Sequence, residues 1–388
     1  MAITEKYASS AGAGLKDGSS EANAWDWATM LTTAVAGDRV NFKGNHTLTG
    51  DASFSNAGTA TSPIILRGYA STIGDGYQGH HADTTLVTTN FPAITDDGNG
   101  YKLTMPNFSV TETIKLKVYK NAAAISSGTY SAVVRCSVEN TMGGAASAGI
   151  GLSGYAYAWD CDAKLSGSSN SQGALYSAGT CHFINCRADG GPAAALAIGG
   201  TSIVCIGSLL YSSGTYAVNI NTTGSHYLIY GCTLVGSSSS GLKQVTGGTR
   251  LGAVINCLIV DNGGYGIEGA GAALAIFSAN NRFDRNTSGA DYGATDWLDA
   301  TSYSNNTTSA TQANEFPGYA SNDFRLGRLS PARQIGLPGY FDIGALQRVE
   351  DYPDKSNVTS SDTVDGQTGT HTCSGGGIWM PRARQIGV

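Results

Sequence analysis

The sequence predicts an all-β chain folded as a right-handed parallel β-helix, a solenoid of coils about 22–25 residues long. Three observations carry that expectation. The first is composition: 53 of 388 residues are Gly, 13% are charged and 41% are hydrophobic. Such a chain is too apolar for disorder and too rich in Gly for helices, whereas short strands joined by tight turns use this mixture. The second is the cysteine spacing. Cys136, Cys161 and Cys186 lie 25 residues apart, as do Cys232 and Cys257, and Ser208 and Asn281 extend the column at steps of 22 to 24. The third is a second column, Ile150, Leu175, Leu196, Val218, Leu242 and Ile267, recurring at 25, 21, 22, 24 and 25. Two columns at one period do not suit the hairpins of a sandwich.

Neighbours of the cysteine column read as a strand. Two residues before it stand Val134, Trp159, Ile184, Ile206, Tyr230, Ile255 and Ala279; two residues after it stand Val138, Ala163, Ala188, Leu210, Leu234, Ile259 and Phe283. A strand alternates its side chains with period two, so both sets are expected to share the column's inward face. Between them lie residues such as Arg135, Asp160, Asn185, Gly207, Gly231, Asn256 and Asn280. There is no CxxC pair, and the column cysteines read as small thiols stacked in the core rather than as metal ligands or disulfides.

A solenoid must cover its open ends. Near the start, Ser19 or Ser20 offers a cap to a short helix whose apolar residues are Trp27, Met30 and Leu31. Residues 1–45 are therefore assigned to an N-terminal cap and first strands, 46–348 to the β-helix, and 349–388 to an extended Gly/Ser/Thr-rich tail. The pentapeptide Ala-Arg-Gln-Ile-Gly occurs at 332–336 and again at 383–387. The tail is accordingly read as an assembly or docking segment, with Ile378, Trp379, Arg382, Arg384 and Ile386 as its anchors.

The order of Tyr7-Ala8-Ser9, the Asp17-Gly18-Ser19-Ser20 turn, Trp25, Ala36-Gly37-Asp38 and Ile64-Ile65-Leu66-Arg67-Gly68 resembles the opening of the pectate-lyase-like β-helix superfamily. Asp323-Phe324-Arg325-Leu326, Ser330-Pro331-Ala332 and Phe341-Asp342-Ile343-Gly344-Ala345 are similar to the way many of those helices close. The resemblance implies the fold over residues 1 to about 348; the superfamily holds lyases, hydrolases, epimerases and non-catalytic adhesins, so it does not choose among activities.

A net charge of -6 and no basic run argue against nucleic acid as a partner. The N-terminus lacks the pattern of a secretory signal, and no window approaches about 18 apolar residues, so the chain is expected to be made in the cytoplasm without membrane insertion. Seven sequons are no more than a Ser/Thr/Asn-rich composition produces. His80-His81 reads as a surface pair.

One constellation carries chemistry. Asp160 and Asp162 on one coil and Arg187 and Asp189 on the next are expected to meet on an outer face, with both aspartates of the first coil on one strand. They are the candidate catalytic residues of a polysaccharide lyase, which would also use Ca2+, or of a glycoside hydrolase. Opposite charges on adjacent strands are most often plain cross-strand ion pairs, and that reading is preferred. The chain then looks like a non-enzymatic bacteriophage surface protein located on the virion, a tail fibre, tailspike or head-surface projection. It needs no cofactor and has other virion proteins or copies of itself, through the tail, and cell-surface glycans as partners. A polysaccharide lyase or hydrolase acting on a cell-surface glycan is the alternative, and a filament or surface-layer subunit the second alternative.

Overall fold

The computed structural model describes residues 3–76, 86–119, 122–141, 147–167, 172–222, 225–244, 250–269, 274–288, 316–321 and 323–327, with positions 330, 332, 344, 363–364 and 367–368. His80, His81 and the five tail anchors lie outside them. The chain divides into two compact units, Met1–Gln347 and Arg348–Val388. In the second, Thr363–Val364 pairs antiparallel with Gln367–Thr368.

The first unit is a parallel β-solenoid of three sheets. Each full coil lays down one strand in each, as in Ala148–Leu152 (sheet I), Tyr155–Trp159 (sheet II) and Asp162–Leu165 (sheet III). The next coil repeats the order with Gly173–Ser177, Thr180–Ile184 and Arg187–Asp189. Among the described residues sheet I has nine strands, sheet II eleven and sheet III ten. The aliphatic column is the spine of sheet I, with Ile150, Leu175, Leu196, Val218, Leu242 and Ile267 paired in register.

The cysteine column opens sheet III. Cys136, Cys161, Cys186, Ser208, Cys232 and Cys257 are all fully buried, and Ile114 precedes them in the same role. Where the column turns polar, the side chain takes up a backbone group of the corner: Ser208 Oγ accepts from Cys186 N at 3.1 Å, and Asn281 Oδ1 from Cys257 N at 2.8 Å.

Half of the expected alternation is corrected. The residue before each column position is a corner in the left-handed region, with φ of 50° at Arg135, 52° at Asp160 and Asn185, 55° at Asn256 and 52° at Asn280, and with Gly at 207 and 231. A left-handed residue breaks the strand and shifts its phase. After the corner, Val138, Ala163 and Leu210 point inward as expected. Before it, the inward residues are Val133, Ala158, Phe183, Cys205 and Ile229, while the row Val134, Trp159, Ile184, Ile206, Tyr230 and Ile255 faces out from sheet II. Asn, Asp and Gly dominate the corner because they adopt positive φ with least strain.

At the N-terminus the helix spans Trp27–Thr33 and buries Trp27 and Met30. Its cap is Asp26, which accepts from Thr29 N at 2.8 Å, and not Ser19 or Ser20. Ser20 instead precedes the 3-10 turn Glu21–Asn23 without a side-chain cap bond.

Candidate functional site

The outer face of sheet III changes character along the solenoid. Successive strands present Lys115 and Lys117, then Ser137 and Glu139, Asp162 and Lys164, Arg187 and Asp189, and Leu209 and Tyr211. Beyond these, Leu258, Val235 and Val260 are buried although they point outward, because Phe316, Phe324, Leu326 and Ala332 from the C-terminal strap lie on them. Tyr211 closes the strap's edge, its ring 5.3 Å from Phe324. At the other side, Leu86 N donates to Asp162 Oδ2 at 2.7 Å. Leu86 thus sits over the Asp162 strand, with the strands of Lys115, Lys117 and Glu139 on one side of it and Arg187 and Asp189 between it and the strap.

Three of the four candidate residues are brought together. Asp162 and Arg187 are in register on adjacent strands, as are Lys164 and Asp189. Asp162 has a shielded Oδ1 without a hydrogen-bond partner among the described residues. Burial pushes its carboxyl up to about 6, with the Leu86 amide and the Arg187 charge opposing the rise. Asp189 is raised for the same reason, opposed by the Gly191 amide, whose N–H it accepts at 2.9 Å, and by Lys164 and Arg187. Burial, with the Asp189 charge, also raises the Tyr211 phenol.

Asp160 does not join them. It is the left-handed corner residue, not part of the strand that begins at Asp162, and it is 7% exposed. Its carboxylate lies 3.6 Å from Arg135 Nε of the preceding corner. The expected same-strand pair of Asp160 and Asp162 therefore does not form, because the corner turns Asp160 away.

Sheet I carries a polar row that the sequence reading missed. Tyr176, Ala197, Asn219, Lys243 and Glu268 pair in register along its outer face. Lys243 Nζ lies 2.5 Å from Glu268 Oε1, Ser240 Oγ donates to Glu268 Oε2 at 2.6 Å, and the ammonium sits 5.3 Å from the Tyr216 ring centre. The signal was present one residue after the aliphatic column. Burial works against both charges, yet the pairing more than offsets it, raising Lys243 and lowering Glu268. These charges satisfy one another, whereas those of sheet III leave a carboxylate oxygen unmatched.

Among the described residues no three His, Cys, Asp or Glu side chains gather to hold a metal ion. No helix there is long and apolar enough to cross a membrane.

No family model and no curated protein matches the sequence. Among solved structures, the chain is similar to the pectate lyase Pel9A, with a TM-score of 0.63 and 16% identity over 90% of this chain and 97% of that one. The fold is the pectate-lyase-like parallel β-helix. An alginate lyase from Paenibacillus sp. str. FPU-7 aligns with a TM-score of 0.48 and 11% identity over 69% of this chain and 99% of that one. At these identities the likeness concerns the backbone, and the side chains of sheet III must speak for themselves.

Proposed function

We propose that this β-helix cleaves an acidic polysaccharide by elimination on the open part of sheet III, between Leu86 and the strap. The observation that carries the reading is the interleaved cluster around Arg187, in which two carboxyls raised by burial flank one guanidinium. In a chain of net charge -6 this face sets Lys115, Lys117, Lys164 and Arg187 against Glu139, Asp162 and Asp189, a small excess of cations that suits an anionic polymer. The reaction class is carried over from the pectate lyase whose fold the chain shares.

In this reading Arg187 and Lys164 hold the carboxylate of a uronate, which acidifies the neighbouring carbon. Asp189 takes the proton from that carbon, and Tyr211 protonates the departing glycosidic oxygen. The C–H and C–O bonds break as a carbon–carbon double bond forms between the two carbons. In the elimination Asp162, bonded by the Leu86 amide, positions Arg187 and takes no part in the bond changes. The expected bacteriophage surface role finds no support among the similar structures, which favour the polysaccharide-cleaving alternative.

A second reading has one observation behind it. Asp162 and Asp189 lie diagonally on adjacent strands, roughly 8 Å apart by strand geometry. That is within the range an inverting hydrolase uses. The test is incubation of the full chain with polygalacturonate and with alginate, following unsaturated uronate absorbance and new reducing ends. Elimination gives both signals, and Asp189→Asn or Tyr211→Phe removes at least nine-tenths of the rate with the thermal melt retained. Reducing ends without unsaturation would assign hydrolysis; no product from either polymer overturns the proposal.

A further inference from the structure

Beyond its first coils the outer face of sheet II carries two apolar rows, bordered by the polar column Thr180, Ser202 and His226. Its outward row Val134, Trp159, Ile184, Ile206, Tyr230 and Ile255 pairs in register over six coils. A parallel row holds Tyr157, Val204, Leu228 and Phe277, separated by His182 and Ala253. Over these coils neither row contains Asp, Glu, Lys or Arg in a chain that is 13% charged, although the first row meets Glu112 and then Arg67 in the preceding coils. Outward positions of a sheet facing water are ordinarily polar.

We infer that this face of sheet II is the contact surface between two copies of the chain. Tyr130, Tyr155, Tyr157, Trp159 and Phe277, on or bordering the face, are 52, 53, 46, 51 and 55% exposed. Half of each such aromatic side chain amounts to roughly 400–600 Å² in total. The half-buried aliphatic residues of both rows bring this toward the roughly 800 Å² per partner of a stable interface. A second copy supplies an equally uncharged stretch, so an isologous pairing of the two sheets there meets no like-charge repulsion despite the net charge of -6.

A glycan fits this face less well. Sugars stack on ring faces, but Phe108, Tyr130 and Tyr155 stack on one another, with centroids 4.9 and 5.2 Å apart and interplanar angles of 12° and 8°. The ring faces between them are taken by that stacking.

The experiment is sedimentation of the full chain across the micromolar range, beside Trp159→Glu, Leu228→Glu and, as a control carboxylate elsewhere, Leu15→Glu at a position 79% exposed. The expected result is a dimer for the native chain and the control, and at least a tenfold weaker dimer for the other two. Circular dichroism melts identify a variant that has lost its fold, and the second substitution then carries the test. A native monomer throughout, a dimer indifferent to both substitutions, or growth beyond two copies overturns the inference. So does a monomer retained on a polysaccharide matrix through these residues, which would give the face to a glycan.

Discussion

Sheets II and III are built by the same coils and meet at one corner residue, yet their outer faces differ in every respect that matters for partners. From Val134 to Ile255 sheet II presents aliphatic and aromatic rows without charge, after first coils that carry Glu5, Arg39, Arg67 and Glu112; sheet III presents cations and carboxylates, then an apolar stretch already covered by the strap. The coil template fixes the inward positions and leaves the outward ones to separate roles. A parallel solenoid can therefore present chemically different surfaces on neighbouring sheets of the same coils.

The comparison can be broken most severely at the covered stretch. Leu258 points outward but lies beneath the strap, so Leu258→Ala should cost about 2–5 kcal/mol, whereas Ile206→Ala on sheet II should cost about 1 kcal/mol or less in the dilute monomer. Denaturant unfolding of both checks this, and equal losses would mean that the strap does not seal sheet III.

Asp162 offers a pH test of the charged face. Its folded value of about 6 stands above its unfolded value, so the folded state binds the extra proton between roughly pH 4 and 6. Stability from this group is thus greatest at the acid side and falls as pH rises through that window. Asp162→Asn should flatten the slope and raise stability near neutral pH by up to roughly 3 kcal/mol. Thermal melts from pH 4 to 8 measure it, and an unchanged slope would show the carboxyl to be solvated.

The corner is expected to be milder. Asn185→Ala keeps the coil but loses a residue suited to φ of 52°, with an expected loss of about 1 kcal/mol by the same unfolding assay. Smallest is Lys117→Ala, whose 3.1 Å pair with Glu139 is exposed; stability should move by under about 1 kcal/mol. Its effect belongs to binding, and weaker retention on an anionic polysaccharide matrix is the readout.

The periodic part of the molecule was legible in the sequence because inward ladders repeat residue types at a fixed step, as Cys136, Cys161 and Cys186 do. The corner was harder to read. Arg135 and Asp160 look like strand residues until their neighbours Asn185, Gly207 and Gly231 reveal a shared need for positive φ. Missing it turned Trp159 and Ile206 inward and placed Asp160 beside Asp162. Leu86 over Asp162, and Phe324 over Leu258, join residues far apart in the chain, and no local period encodes such contacts. Lys243 and Glu268 were legible in principle, being charged neighbours of a recognised column.

The thiol column also makes the protein its own reporter. Seven described cysteines are unpaired by disulfides and buried, and burial pushes Cys136 up to about 12, so the unreactive thiol form prevails in the intact coil. An alkylating reagent can reach Cys161 or Cys232 only when that turn of the solenoid peels open. Mass spectrometry of the time course would then rank the turns by opening rate, showing whether the solenoid unzips from one end or breathes in the middle.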